Sequence, residues 1–356
     1  MAMDAEAMAK LRPSTAATVA EEEANQAADL AAAREVAIEQ SLLRGQRRGA
    51  AEAVPGKVPV IDLSASNAAE EMCRAAQEFG FFVVRNHGLP EEAIDEAFGL
   101  SKKFFSQSKE EKQAQCPYAR HLNSGLEYFS QVRPSTGTPD QKESLLITAA
   151  AGHMDGRWPA KPGNFEERIK DFLRKAHDLG QRILSILEPT ACPQVQPGTL
   201  AKAHNLWVEG GQCNLRLLHY PPIASPETLP ENYWRAGPHT DWSCITLVFQ
   251  RPGNEGLECA PNPKAAKDSP WLKVDPVPGG IAVNVGDMLG RWSDGRVLSN
   301  LHRVRLPSPE ECEEPKARYS MVLFMQADKH VPIQCSAETV TAGDYIMGRV
   351  RSNWAK

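Results

Sequence analysis

The sequence predicts an α+β fold with a mostly-β core flanked by helices, and three observations point there. From 213 to 327 the chain runs in short β-type segments broken by Pro and Gly, at 213–220, 239–250, 280–285, 298–305 and 317–327, the texture of a barrel or sandwich. Upstream, Phe165, Ile169, Phe172, Leu173, Ala176, Leu179, Ile183, Leu184 and Leu187 recur at three- and four-residue spacing, so 164–188 reads as a long amphipathic helix. The end of the chain, 341–354, returns to helical spacing.

The elements follow in order. Residues 1–55 are rich in Ala, Glu and Gln and poor in aromatics, which predicts an N-terminal extension, helical or flexible, closed by Pro55 and Gly56. A mixed α/β region spans 56–200. It opens with a short strand over 58–63, with Ser64 placed to start a helix through 67–79. A buried strand over 80–86 and a turn at His87-Gly88 come next. Pro90-Glu91-Glu92 then opens another helix, with Pro at the first helical position and acids in the first turn. The β core occupies 201–330, and 331–356 forms a C-terminal helix.

Composition narrows the function classes. The 356 residues are 42% hydrophobic and 24% charged, ordinary for a globular chain with a sizeable core. Forty Lys+Arg against 45 Asp+Glu give a net charge of −5, so no general attraction to nucleic acid is expected. No stretch approaches the ~18–20 unbroken apolar residues that span a bilayer, so no membrane partner is expected. The start resembles neither a secretory signal nor an Arg-rich transit peptide. The eight cysteines are scattered without a CxxC pair, which suits reduced thiols in a cytoplasmic protein. Oligomeric state is left open.

The chemistry gathers in three places. His239-Thr240-Asp241 sets an imidazole and a carboxylate at i and i+2, on one face of an extended strand. His302 follows 61 residues later in another β-type segment. Two imidazoles and a carboxylate make the facial triad that leaves coordination positions open on Fe(II). Third, Arg318, Ser320, Val322 and Phe324 share one face of a strand. An inward Arg among apolar residues calls for an anion, and Arg with Ser can grip a carboxylate. Asn214, Arg216, Leu218 and Tyr220 share a face of the strand before. Each feature has a plainer reading as well: a structural His–Asp pair, a salt-bridged Arg216, and Trp242 and Phe324 as core aromatics. His87 is expected to order its turn, and His219 to point away from the pocket.

The ordered segments RLLHYPP (216–222), HTDWSCITLVFQ (239–250), GGIAVNVGDMLGRWSDG (279–295), LHRV (301–304) and RYSMVLF (318–324) resemble the Fe(II)/2-oxoglutarate-dependent dioxygenases of the isopenicillin-N-synthase-like superfamily. VPVIDLS (58–64) and FGFFVVRNHGLPEEAIDEAF (79–98) are similar to that family's N-terminal region, so the likeness covers roughly 58–350. Within it, the wording is most similar to the fungal thymine 7-hydroxylase-like branch. The resemblance implies a double-stranded β-helix (jelly roll) and iron ligands His239, Asp241 and His302. It implies a 2-oxoglutarate site of Arg318, Ser320 and Tyr220, and a substrate pocket of Arg216, Trp242 and Phe324, beside which Asn214 falls on the face of Arg216. Trp242 reaches that pocket only if the strand bends or bulges there, because strict alternation turns it away from Asp241.

Two departures from the family pattern stand out. Leu218 occupies the Asn position of the family's NxYP motif, and an acidic, Pro-bearing insert at 307–315 lengthens a surface turn before Arg318. The implied activity is oxidation (hydroxylation, desaturation or rearrangement) of a small, planar or heterocyclic metabolite of secondary metabolism or heterocycle breakdown. Fe(II), 2-oxoglutarate and O2 take part, with ascorbate as an optional reductant, and succinate and CO2 are released. Three alternatives stay open on sequence: a 2-oxoglutarate-independent iron oxidase, a non-catalytic cupin-like binding protein, and a zinc hydrolase on the same ligands.

Overall fold

Alternation along the strands decides the architecture. In the computed structural model, which describes residues 58–132, 136–264 and 269–354, odd and even positions of each central strand go to different cores. The expected extension over 1–55 lies outside the described residues. The strands of the first half are β1 (Val60–Asp62), β2 (Phe81–Arg85), β3 (Gly125–Tyr128), β4 (Glu143–Thr148), β5 (Asn214–Tyr220) and β6 (Ala236–His239). Those of the second are β7 (Ile245–Phe249), β8 (Leu257–Cys259), β9 (Leu272–Lys273), β10 (Gly280–Val285), β11 (His302–Val304), β12 (Arg318–Met325), β13 (Pro332–Gln334) and β14 (Thr339–Thr341).

Eight strands form the major sheet in the order β1-β2-β10-β7-β12-β5-β4-β3, and β6-β11-β8-β9 form a minor sheet of four. Leu215, Leu217, Leu247, Phe249, Met321 and Leu323 turn to one side of the major sheet and pack under helices. The helix Phe165–Ala191 crosses there, setting Phe172 edge-on to Phe249 with ring centroids 5.1 Å apart. Burying each such side chain is worth about 1.5–3 kcal/mol. Val83, Leu218, Val248, Ala282 and Val322 turn to the other side and meet Ala236, Leu257, Cys259 and Val304 of the minor sheet. Two facing sheets of this kind are the jelly roll that the sequence predicts. The major sheet draws strands from both sides of residue 201.

The helices Ala68–Glu78, Glu91–Phe105 and Ala342–Trp354 fall within or close to the predicted spans. Four details differ. Ser64 does not start its helix; its backbone N–H and hydroxyl both donate to Asp62 Oδ1, and the helix begins after Asn67. Pro90 is the cap residue rather than the first helical one. The insert at 307–315 contains the short helix Pro309–Glu313, capped by Ser308 and Glu311 and tied down by Arg305 at 2.7 Å from Glu311. The segment 331–356 holds the β13–β14 hairpin before its helix.

The largest correction falls on 239–250, which is not one strand. β6 ends at His239 in the minor sheet, and β7 begins at Ile245 in the major sheet. Of the five residues between, Cys244 still donates its N–H to Met325 O on β12 (2.8 Å), while the carbonyls of Asp241 and Cys244 turn to the loop after β10. Asp287 N–H donates to Asp241 O (2.7 Å) and Gly286 N–H to Cys244 O (3.0 Å). That loop comes so close that a Cβ on Gly286 would stand 2.1 Å from Ser243 O, so only glycine fits. Among the described residues, no helix is long and apolar enough to cross a membrane.

Candidate active site

His239, Asp241 and His302 meet where the minor sheet turns into the major one. Their ligand atoms all lie within 4.8 Å of one another, and among the described residues they form the one such His/Cys/Asp/Glu group. The convergence has a different origin from i, i+2 alternation. His239 stands opposite His302 in the β6–β11 ladder, which brings the imidazole centroids to 4.2 Å. Asp241 reaches back from the turn, its Oδ1 lying 3.7 Å from His239 Nε2 and 3.6 Å from His302 Nε2.

The surroundings fix how these groups present themselves. His239 Nδ1 bonds Gly237 O at 2.7 Å and His302 Nδ1 bonds Asn300 O at 3.3 Å. A carbonyl only accepts, so Nδ1 carries a proton in each ring, and Nε2 is the nitrogen turned toward Asp241. Asn284 donates to Asp241 Oδ2 at 2.8 Å, leaving Oδ1 toward the imidazoles. Two imidazoles and a carboxylate at one point fit a divalent cation with open positions.

Arg318, on β12, is 2% exposed and donates to neutral acceptors. Its Nε donates to Asn254 O and Glu255 O (both 3.0 Å), Nη1 to Ser320 Oγ (3.2 Å) and Nη2 to Gln250 Oε1 (3.1 Å). Tyr220, its ladder partner on β5, lies under the guanidinium with 4.8 Å from Cζ to the ring centroid. Burial pulls the Arg318 pKa below its ordinary value. No carboxylate comes within ion-pairing distance of it among the described residues. A buried guanidinium of this kind suits an incoming anion. Arg235, just before β6, adds a second buried positive charge, drawn down to about 10 by burial and by Arg318.

The other predicted residues divide. Arg216 and Phe324 come together, the guanidinium carbon 5.1 Å from the ring centroid. Asn214 pairs with Phe324 across β5–β12 and is 1% exposed; its amide N–H donates to Gln326 Oε1 (3.3 Å), and its Oδ1 has no partner. Trp242 stands in the turn after β6, half-buried, with the Arg349 guanidinium 5.4 Å from its ring centroid. The strand end at His239 frees it from strict alternation. Leu218 is buried opposite Ser320 among apolar neighbours. His219 does point away, bonding Glu143 at 2.6 Å and stacking on Tyr319. His87 accepts from Leu89 N–H and orders its turn.

Sequence reasoning missed Asn284, Gln250, Asn254 and Arg235. Asn284 left one usable signal, a lone amide on the inward face of the apolar strand β10.

A sequence profile of the 2OG-Fe(II) oxygenase superfamily matches residues 211–327, and one described as the non-haem dioxygenase in morphine synthesis N-terminal matches 58–164. A UPF0676 protein of Schizosaccharomyces pombe is 31% identical over 326 residues, 83% of this chain and 92% of that one. The 2-oxoglutarate-Fe(II) type oxidoreductase hxnY of Emericella nidulans is 30% identical over 282 residues, 74% of this chain and 75% of that one. Among solved structures, the full-length thymine 7-hydroxylase of Neurospora crassa with alpha-KG and 5-formyluracil is 25% identical at a TM-score of 0.68, covering 82% of this chain and 95% of that one. The same protein with alpha-KG and thymine gives a TM-score of 0.70 at 24% identity, covering 83% and 97%.

Proposed function

Because the chain belongs to the 2OG-Fe(II) oxygenase superfamily, we propose that it oxidises a small, planar, heteroatom-bearing metabolite, with 2-oxoglutarate and O2 as co-substrates. As a member it is a dioxygenase, an oxidoreductase using Fe(II), which sets the non-catalytic and zinc-hydrolase readings aside. His239, Asp241 and His302 would hold the iron, and Arg318, Ser320 and Tyr220 the far carboxylate of 2-oxoglutarate. Bound there, the metal and its co-substrate supply the oxidant, releasing succinate and CO2.

The rest is work for the chain's own side chains. Asn284 keeps Asp241 turned so that one oxygen faces the imidazoles. The Nδ1 protons of His239 and His302 are held on backbone carbonyls. Arg216 and Phe324 would seat the substrate, and the observation that carries this is their stacking beside Asn214, whose buried Oδ1 lacks a partner. Planar guanidinium donors, an amide acceptor and an aromatic face suit the edge and face of a flat ring carrying both C=O and N–H. The likeness to a structure holding 5-formyluracil supports the same class. A small-molecule substrate in the cytoplasm, in secondary metabolism or heterocycle breakdown, completes the proposal.

A panel of heterocycles and aliphatic acids tests it through release of labelled CO2 from 2-oxoglutarate. Flat heterocycles should stimulate release, and Arg216→Ala should lower that stimulation by about tenfold or more while leaving KM for 2-oxoglutarate unchanged. Stimulation by bulky aliphatic acids alone would refute the substrate class. O2 uptake without succinate would favour the 2-oxoglutarate-independent oxidase.

A further inference from the structure

A guanidinium from the far end of the chain sits behind the turn that carries Asp241. Arg349, on the closing helix Ala342–Trp354, is fully buried, and its Nη2 lies 3.0 Å from Asp287 Oδ2. The same carboxylate oxygen accepts from Thr240 Oγ1 at 2.9 Å, and Thr240 is the residue between His239 and Asp241. The backbone N–H of Asp287 donates to Asp241 O at 2.7 Å. Asp287 therefore grips the turn twice, once at the Thr240 side chain and once at the Asp241 main chain, and Arg349 holds Asp287. The guanidinium also covers the face of Trp242.

An arginine with no solvent exposure is costly to bury unless its charge is matched. On this helix it is matched against the carboxylate that bonds the His239–Asp241 turn. A helix needing only to dock could do so with apolar side chains, as Ile346 does against the core.

We propose that Arg349 is a positioning residue for the metal centre: through Asp287 and Thr240 it fixes the turn that aims Asp241 at the two imidazoles. Anchoring of the C-terminal helix and geometry of the site are then coupled. The proposal rests on His239, Asp241 and His302 being the metal ligands.

The test is anaerobic Co(II) titration of the full chain, read by ligand-field absorption and by binding affinity. Arg349→Met and Thr240→Val are compared with Ile346→Ala, which loosens the same helix without touching the network. Outer partners of metal ligands typically contribute about 10–100-fold in affinity. Arg349→Met should therefore weaken Co(II) binding by about that factor and shift the absorption bands. Thr240→Val, which removes only the hydroxyl, should move both in the same direction by less. Ile346→Ala should lower Tm and leave the bands in place. Unchanged bands and affinity in Thr240→Val overturn the proposal, and this holds even if Arg349→Met fails to fold. Band shifts in Ile346→Ala equal to those in Arg349→Met overturn it too, because any loosening of the helix would then suffice. If the unsubstituted chain binds no Co(II), or binds it equally after Asp241→Ala, the ligand assignment itself fails, a result distinct from either.

Discussion

Replacing Arg318 by Met should separate co-substrate binding from folding. The side chain is 2% exposed and donates to Asn254 O, Glu255 O, Ser320 Oγ and Gln250 Oε1, all neutral. Met keeps most of the volume and removes the charge. Truncating one partner of a buried, hydrogen-bonded charge pair costs about 2–5 kcal/mol of binding. Taking ~3 kcal/mol, KM for 2-oxoglutarate should rise on the order of 150-fold at about 1.4 kcal/mol per decade. Linkage gives a second readout that needs no turnover. At a concentration of about 100 Kd, 2-oxoglutarate with Fe(II) under anaerobic conditions should stabilise the unsubstituted chain by ~2.7 kcal/mol. The variant, at the same concentration, should gain only ~0.3 kcal/mol. In thermal melts of a chain this long that is a shift of roughly 3–4 °C against less than about 1 °C. Arg318→Lys, which offers a point charge in place of a planar fork, should fall between. A variant that kept KM within about threefold and kept its thermal shift would refute the assignment of this guanidinium to the co-substrate.

Other consequences can be checked separately. Asn284→Ala removes the donor to Asp241 Oδ2 and should weaken Co(II) or Fe(II) binding about 10–100-fold, measured by anaerobic titration. Gly286→Ala would place a Cβ 2.1 Å from Ser243 O, so the turn must shift; a lower Tm together with weaker metal binding is expected, and a stability loss of about 1–3 kcal/mol with intact metal binding would argue that the turn adapts. His204 is fully buried and burial lowers its pKa from 6.5 to about 4, so the unfolded chain binds more protons between those values. Stability is therefore lost as pH falls through 6.5 toward 4, by about 2 kcal/mol between roughly pH 7 and 5 for this one group, and His204→Asn should remove that share from the pH dependence of the urea midpoint.

Much of this was legible in the sequence, for reasons that differ by element. The helix Phe165–Ala191 announced itself because one face must cover a sheet, and a buried stripe repeats at helical spacing. Arg318 and Ser320 were readable because β12 is a regular eight-residue strand, where residue parity does decide the face. Parity failed at His239 and Asp241, although the two do converge. Their geometry depends on a turn past the strand end, and that turn accepts hydrogen bonds from Gly286 and Asp287, which lie far downstream in the chain. Local pattern carries no trace of such partners. The same holds for Arg235, Gln250 and Asn254, whose polarity is ordinary in the sequence and acquires meaning only when folding brings them against Arg318. A centre built where a chain crosses between two sheets gains access to side chains from both, since His239 and His302 come from one sheet and Asn284 and Arg318 from the other. Its irregular turn must then be held by something outside both ladders. Asp287 is placed to do that, bonded to the Thr240 side chain and the Asp241 main chain from a segment that belongs to neither ladder.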